Sequence, residues 1–256
     1  MVKKYFFGFL IFLLVPFYFF AADLSGNEIL AKIEGGSALT GSGSAFVDLK
    51  TVNKNGQEKE QSLNIYRLET SKEEKQLIEF LAPTDVKGTK FLSLKNLANQ
   101  NEEMWLYLPA LKRERRIAGH MTKDNFMGTD FTFDEISGTF HDKYSAKRLM
   151  DEKIDSYDCY TLELEPKDTT ENYKLIKIWV WQSEMIPLRI EFYNKDHKLW
   201  KEMLAENIEK QKNGSYLPLK ITMANKLLQT KTIIEIRGNS SDSPSADYFT
   251  MQYLRK

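Results

Sequence analysis

The sequence predicts a mainly β fold built on one large, curved antiparallel sheet, and three observations carry that expectation. From about residue 44 onward, apolar and polar residues alternate in run after run, the spacing of strands with one buried face. Short polar turns of hairpin chemistry separate the runs, among them Asn53-Lys54-Asn55-Gly56, Asn194-Lys195-Asp196-His197 and Lys212-Asn213-Gly214. No helical period stands between one run and the next, so the strands join as an antiparallel meander and not as parallel β-α-β units.

Taken in order, residues 1–22 come first: Lys3 and Lys4, an apolar run from Tyr5 to Phe20, then Ala21-Ala22. This is the pattern of a secretory signal peptide, with an uncleaved membrane anchor as the alternative. No cysteine stands near the cleavage position to be lipidated. Residues 23–36 carry Leu24, Ile29, Leu30 and Ile33 at helical spacing, with Ser25 or Asp23 to cap and Gly35-Gly36 to stop, and predict one short amphipathic helix. Strands are expected at 44–52, 62–69, 75–81, 89–94, 103–109, 113–118, 144–151, 157–165, 174–182, 186–194, 198–208, 215–224 and 229–238. The clearest alternation sets Ile186, Leu188, Ile190 and Phe192 against Pro187, Arg189, Glu191 and Tyr193. Between strands, 119–141 is irregular, broken by Gly119, Gly128 and Gly138. That segment and the first helix offer little material to cover so wide a sheet. A curved sheet with apolar concave surface left over is the usual form of a hydrophobic ligand site.

Composition narrows the function. Lys+Arg and Asp+Glu both number 36, so no global field recruits nucleic acid. The single cysteine, Cys159, leaves the exported chain without an internal disulfide. His120, His141 and His197 lie at no metal-ligand spacing, and no nucleophile elbow, phosphate loop or dinucleotide fingerprint is present, so neither metal nor cofactor is expected. Asp124, Asp130, Asp134 and Glu135 could supply the carboxylate pair of a carbohydrate-active enzyme. They read better as turn formers and caps, Thr132 and Glu135 forming a Thr-x-x-Glu box. The basic run Lys112-Arg113-Glu114-Arg115-Arg116 admits two readings, ion pairing with Glu114 and the acids of 124–135, or a contact surface for an acidic partner or lipid headgroup. Trp105, Tyr107, Trp179, Trp181, Tyr193 and Trp200 are core or pocket lining, and Met104, Met127, Met203 and Met223 suit an adaptable apolar wall.

The stretch Met104-Trp-Leu-Tyr-Leu-Pro-Ala-Leu-Lys-Arg-Glu-Arg-Arg-Ile117, followed by Asn125-Phe-Met-Gly-Thr-Asp-Phe-Thr-Phe-Asp-Glu135, resembles the outer-membrane lipoprotein-sorting protein family of the LolA/LolB-like superfamily. Lys87-Gly-Thr-Lys-Phe-Leu92 and Ile186-Pro-Leu-Arg-Ile-Glu-Phe-Tyr-Asn-Lys-Asp196 match as well. The resemblance covers nearly all of 23–256 and implies one domain, an unclosed half-barrel of about eleven strands with a small α-helical lid over a hydrophobic cavity. It also implies a monomeric, non-enzymatic periplasmic carrier of lipoprotein acyl chains or other lipids. An RND-type inner-membrane transporter and an outer-membrane acceptor are the implied partners, and an accessory subunit of such an exporter is the alternative. On this reading Ile65, Ile78, Phe80, Phe91, Leu106, Ile178, Ile190, Phe192 and Met223 form the cavity wall. Phe126, Met127, Phe131, Phe133 and Ile136 form the lid, and Lys112, Arg113, Arg115 and Arg116 the partner contact. The superfamily's lid-locking arginine has Arg67 and Arg113 as candidates.

Overall fold

The structure is a computed structural model and describes residues 24–33, 41–138 and 143–256. The expected signal peptide and the Gly35-Gly36 stop lie outside the described residues. The helix near the start, α1 (Gly26–Lys32), is shorter than expected and is capped by Ser25: its hydroxyl accepts the Glu28 amide, and the Glu28 carboxylate accepts the Ser25 amide.

Fourteen strands follow: β1 (Gly43–Val52), β2 (Glu58–Glu69), β3 (Glu73–Ala82), β4 (Lys90–Asn96), β5 (Asn101–Leu108), β6 (Arg113–Ile117), β7 (Tyr144–Arg148), β8 (Glu152–Ile154), β9 (Tyr157–Pro166), β10 (Leu175–Trp181), β11 (Ile186–Tyr193), β12 (Leu199–Lys210), β13 (Tyr216–Asn225) and β14 (Thr230–Ser240). They form one sheet in the order β6-β5-β4-β3-β2-β1-β14-β13-β12-β11-β10-β9-β7, with β8 paired to β9. Every described pairing is antiparallel. The sheet has more strands than the eleven that the resemblance implies. β8, at three residues, is too short to show a period.

The meander has a join in its middle. β1 pairs with both β2 and β14, so the first and last strands lie side by side and the free edges are β6 and β7. The chain from β6 to β7 therefore leaves one edge of the sheet and returns at the other. Thirteen strands in a row would span about 58 Å if flat, at about 4.8 Å between neighbours. Yet Ile117 of β6 and Tyr144 of β7 share one buried cluster with Val47, Leu49 and Ile234 from the centre. Both edges can reach one core only if the sheet curls into an unclosed half-barrel, with that core on the concave side.

The convex face is not simply wet, as alternation alone suggests. Leu77 and Leu92 pack there against Phe249 and Leu254 of the C-terminal segment, a 3-10 turn (Ala246–Phe249) followed by one turn of α-helix (Met251–Leu254). Trp105 and Tyr107 join this cluster. Farther round, Cys159, Trp179, Ile186 and Leu188 make a second outer cluster with Trp181, Tyr157 and Tyr216.

That second cluster corrects the reading of β11. Pairing with β10 shifts between Trp179, opposite Arg189, and Val180, opposite Pro187, so Leu188 is an extra residue. A bulge transfers the following side chains to the other face. Ile190 and Phe192 point into the concave core, while Ile186 and Leu188 pack outside.

Candidate functional site

The nine residues expected as cavity wall all belong to the single concave cluster: Ile65, Ile78, Phe80, Phe91, Leu106, Ile178, Ile190, Phe192 and Met223. Met104 and Met203 are buried in it too. The nine come from seven strands on both sides of the β1–β14 join, and Met203 adds an eighth, β12. The register explains the shared face, with Leu63 opposite Phe80, Ile65 opposite Ile78 opposite Phe91, and Phe91 opposite Leu106.

Across this face runs the irregular segment. It consists of a 3-10 turn at Gly119–Lys123, a second at Phe126–Gly128, and a helical turn at Phe133–Ser137. The expected Thr132–Glu135 box is present: the Thr132 hydroxyl accepts the Glu135 amide, and Glu135 Oε2 accepts the Thr132 amide at 2.8 Å. Gly138 ends the turn with φ +82°. Met127, with φ +46°, takes the left-handed backbone that side chains disfavour and reverses the chain after Phe126.

Three sets of contacts fix this cover against the concave face, and Lys123 ties its first turn to Glu171 at 3.2 Å and to the Thr170 carbonyl at 2.7 Å. Phe126 and Phe133 meet the wall aromatics, with ring centroids 5.4 Å apart for Phe91–Phe126, 5.6 Å for Phe91–Phe133 and 6.0 Å for Phe80–Phe126. Phe131 is buried beside them, while Met127 and Ile136 pack against the cluster from outside. Next, Asp130 reaches β14: its amide donates to Thr232 Oγ1 at 2.8 Å, and its carboxylate accepts from the hydroxyls of Thr230 and Thr232 at 2.5 and 2.9 Å. Last, Glu135 Oε1 accepts from the Tyr173 hydroxyl at 2.5 Å, and Oε2 lies 3.6 Å from Lys201 Nζ of β12. From Phe91 on β4 to Lys201 on β12 the segment crosses seven adjacent strands. Burial and the neighbouring Glu135 charge push the Tyr173 phenol well above its ordinary pKa.

The acids thus have structural employment, Asp134 included, which accepts from Thr122 and pairs with Lys143. Asp130 and Glu135 are both buried, at 5% and 4% exposure. The expectation that these acids would partner the basic run is overturned for four of them, since Glu114 pairs with Arg255, and Asp130, Asp134 and Glu135 pair as above. Lys112, Arg113, Arg115 and Arg116 lie exposed at the β6 edge. Arg116 reaches Glu103 only at 4.0 Å, and Arg115 donates to Met121 Sδ. Of the arginine candidates for a lock, Arg67 is buried with Glu69 and Glu74 at 3.2 and 3.4 Å, and Arg113 stands on the exposed edge. The cations paired with the cover's buried acids are lysines, Lys143 with Asp134 and Lys201 with Glu135. Lys201 was missed, although a charged residue in register with Met203 on an alternating strand was a visible signal. Tyr173 was missed because it stands in a loop, where no period marks orientation.

An unclosed antiparallel half-barrel whose apolar concave face lies under a short helical cover is the fold of the LolA/LolB-like superfamily. Solved structures agree. An outer membrane lipoprotein-sorting protein domain, so assigned, from Vibrio parahaemolyticus superposes with TM-score 0.80 at 26% identity, covering 90% of this chain and 98% of that one. A DUF1329 family protein from Desulfovibrio piger gives TM-score 0.79 at 26% identity, covering 89% and 96%. A LolA superfamily protein from Nitrosomonas europaea shares the fold with TM-score 0.70 at 20% identity, covering 90% and 100%. No curated protein matches the sequence. A family profile whose description reads "uncharacterized protein" matches residues 72–256, and the chain belongs to that family.

Proposed function

We propose that the protein is a non-enzymatic periplasmic carrier that shields acyl chains of a lipoprotein or another lipid beneath residues 119–138 for transfer towards the outer membrane. Signal peptide 1–22 would direct its export, leaving 23–256 as the carrier domain. The observation that carries this reading is a largely apolar concave face, interrupted at Lys201 and Thr232, whose cover is held there by buried polar contacts as well as by apolar packing. Such polar contacts can be exchanged for water or ligand. An acyl chain replacing the phenylalanines would gain about 25 cal/mol per Å² of apolar surface removed from water. Release would follow movement of the cover or an acceptor with a more favourable apolar surface. The neighbour assigned to lipoprotein sorting supports the same reading.

Native mass spectrometry of protein taken from the periplasm, followed by lipid extraction, tests it. Co-purifying acyl lipid is expected. A lipid-free protein that also fails to take up lipid from vesicles would overturn the proposal.

A second reading has its own observation, the exposed cations Arg113, Arg115 and Arg116 on edge strand β6 and Lys112 just before it, whose described carboxylate contact is the distant Arg116–Glu103 pair. They suit docking on an acidic surface of an inner-membrane transporter of the RND type. The double substitution Arg115→Glu/Arg116→Glu separates the readings: it abolishes docking and leaves lipid binding intact.

A further inference from the structure

We propose that Lys201 receives the anionic head of the bound amphiphile, and that Glu135 occupies that place in the ligand-free protein. This rests on the carrier reading and adds the ligand's class, an acyl chain ending in a carboxylate or phosphate.

Lys201 is 1% exposed and points from β12 into the concave face, where Met203 lies on the same side. Its Nζ stands 5.7 Å from the ring centroid of Tyr173 and 5.4 Å from that of Trp200. Among the described residues it has no hydrogen-bond partner. The carboxylate beside it, Glu135, is at 3.6 Å, beyond hydrogen-bond range. Glu135 itself is satisfied without the lysine, through Tyr173 and the Thr132 amide. Asp134, next in sequence, is taken by Lys143 and Thr122. The ammonium is therefore the member left short, with three donors and a costly burial compensated only by a long ion pair and two ring faces.

An incoming carboxylate or phosphate can make the short charge-assisted bonds that Glu135 does not, at about 2.7–2.9 Å, while its chain lies along the apolar wall beyond Phe192. Because Glu135 belongs to the helical turn of the cover, replacing it at Lys201 removes one attachment of that cover. Head recognition and opening are then one event.

The test is calorimetric titration of the purified full protein with oleate, oleyl alcohol and acetate, which separate the charged amphiphile, the neutral amphiphile and the chain-free anion. Oleate should bind at least tenfold more tightly than oleyl alcohol, and acetate should not bind measurably. Lys201→Met should equalise the two amphiphiles, and Lys201→Arg should keep the preference. Since Lys201→Met strands the Glu135 charge, Lys201→Met/Glu135→Gln repeats the test with a neutral pair. Equal binding of oleate and oleyl alcohol to the unaltered protein, or a preference that survives in the double variant, would overturn the inference and leave the carrier reading standing. Acetate binding as tightly as oleate would mark a site for a free anion and overturn it likewise. Failure of both amphiphiles to bind would end both proposals.

Discussion

Residues 119–138 cover the concave face and residues 246–254 cover the convex face of β2–β5, but the balance of forces differs: apolar packing and the bond from buried Lys90 Nζ to the Tyr253 carbonyl at 3.2 Å hold the second, while several buried carboxylates help to hold the first. The C-terminal cover buries Phe249 and Leu254 against Leu77 and Leu92, and sets the Tyr248 ring against those of Tyr66 and Tyr253, with centroids 4.6 and 4.9 Å apart. Its acid, Asp247, is exposed. The concave cover also buries aromatics, yet it carries Asp130, Asp134 and Glu135 inside, each bonded to a partner outside its own turn. An apolar seam is non-directional and is lost only with the fold. A buried polar latch holds only while each partner finds no better one, and that makes it reversible.

Substitutions can break this contrast. The largest effect is expected from Phe249→Ala, which should cost about 3–5 kcal/mol by cavity formation in denaturant unfolding, while lipid binding per folded molecule stays unchanged. Asp130→Ala should cost about 2–3 kcal/mol through lost bonds to a charged group; here amide exchange in 126–137 should rise while that of 246–254 is unaffected. Tyr173→Phe should cost about 1 kcal/mol at neutral pH, and it carries a pH signature. The folded Tyr173 holds its proton well above the ordinary 10.0, chiefly through burial and then the Glu135 charge. The unfolded chain releases that proton first, so stability is complete below pH 10 and falls as pH rises beyond it. Tyr193, pushed up to about 12 by burial and its bond to Glu191, adds to the same fall. Urea titrations between pH 8 and 11 should show the decline, and Tyr173→Phe should make it shallower. The smallest effect belongs to Arg115→Glu/Arg116→Glu, under about 0.5 kcal/mol of stability because these charges are exposed.

The comparison also shows what the sequence could convey. Alternation located nearly every strand, and it placed Ile65, Ile78, Phe80 and Phe91 on one face because the strand period of two allows no ambiguity where the register is regular. The Thr132–Glu135 cap was readable because it is local. Where a bulge intervened, the same rule misled: Ile186 and Leu188 looked like partners of Ile190 and Phe192 but face the other way. The C-terminal cover escaped notice because a four-residue helix (Met251–Leu254) has too few turns to show a face. The long-range latches, Asp130 to Thr232 and Glu135 to Lys201, join residues far apart in sequence, and no local pattern encodes such a meeting.

The central claim is that residues 126–137 form a cover that opens while the sheet stays folded. Hydrogen–deuterium exchange of the ligand-free protein tests it directly. Protected amides in 126–137 should exchange through an opening of lower free energy than those in β1, β14 and 246–254, and oleate should alter the exchange of the cover alone. Exchange of 126–137 only through global unfolding, at the rate of the central strands and indifferent to oleate, would contradict the account.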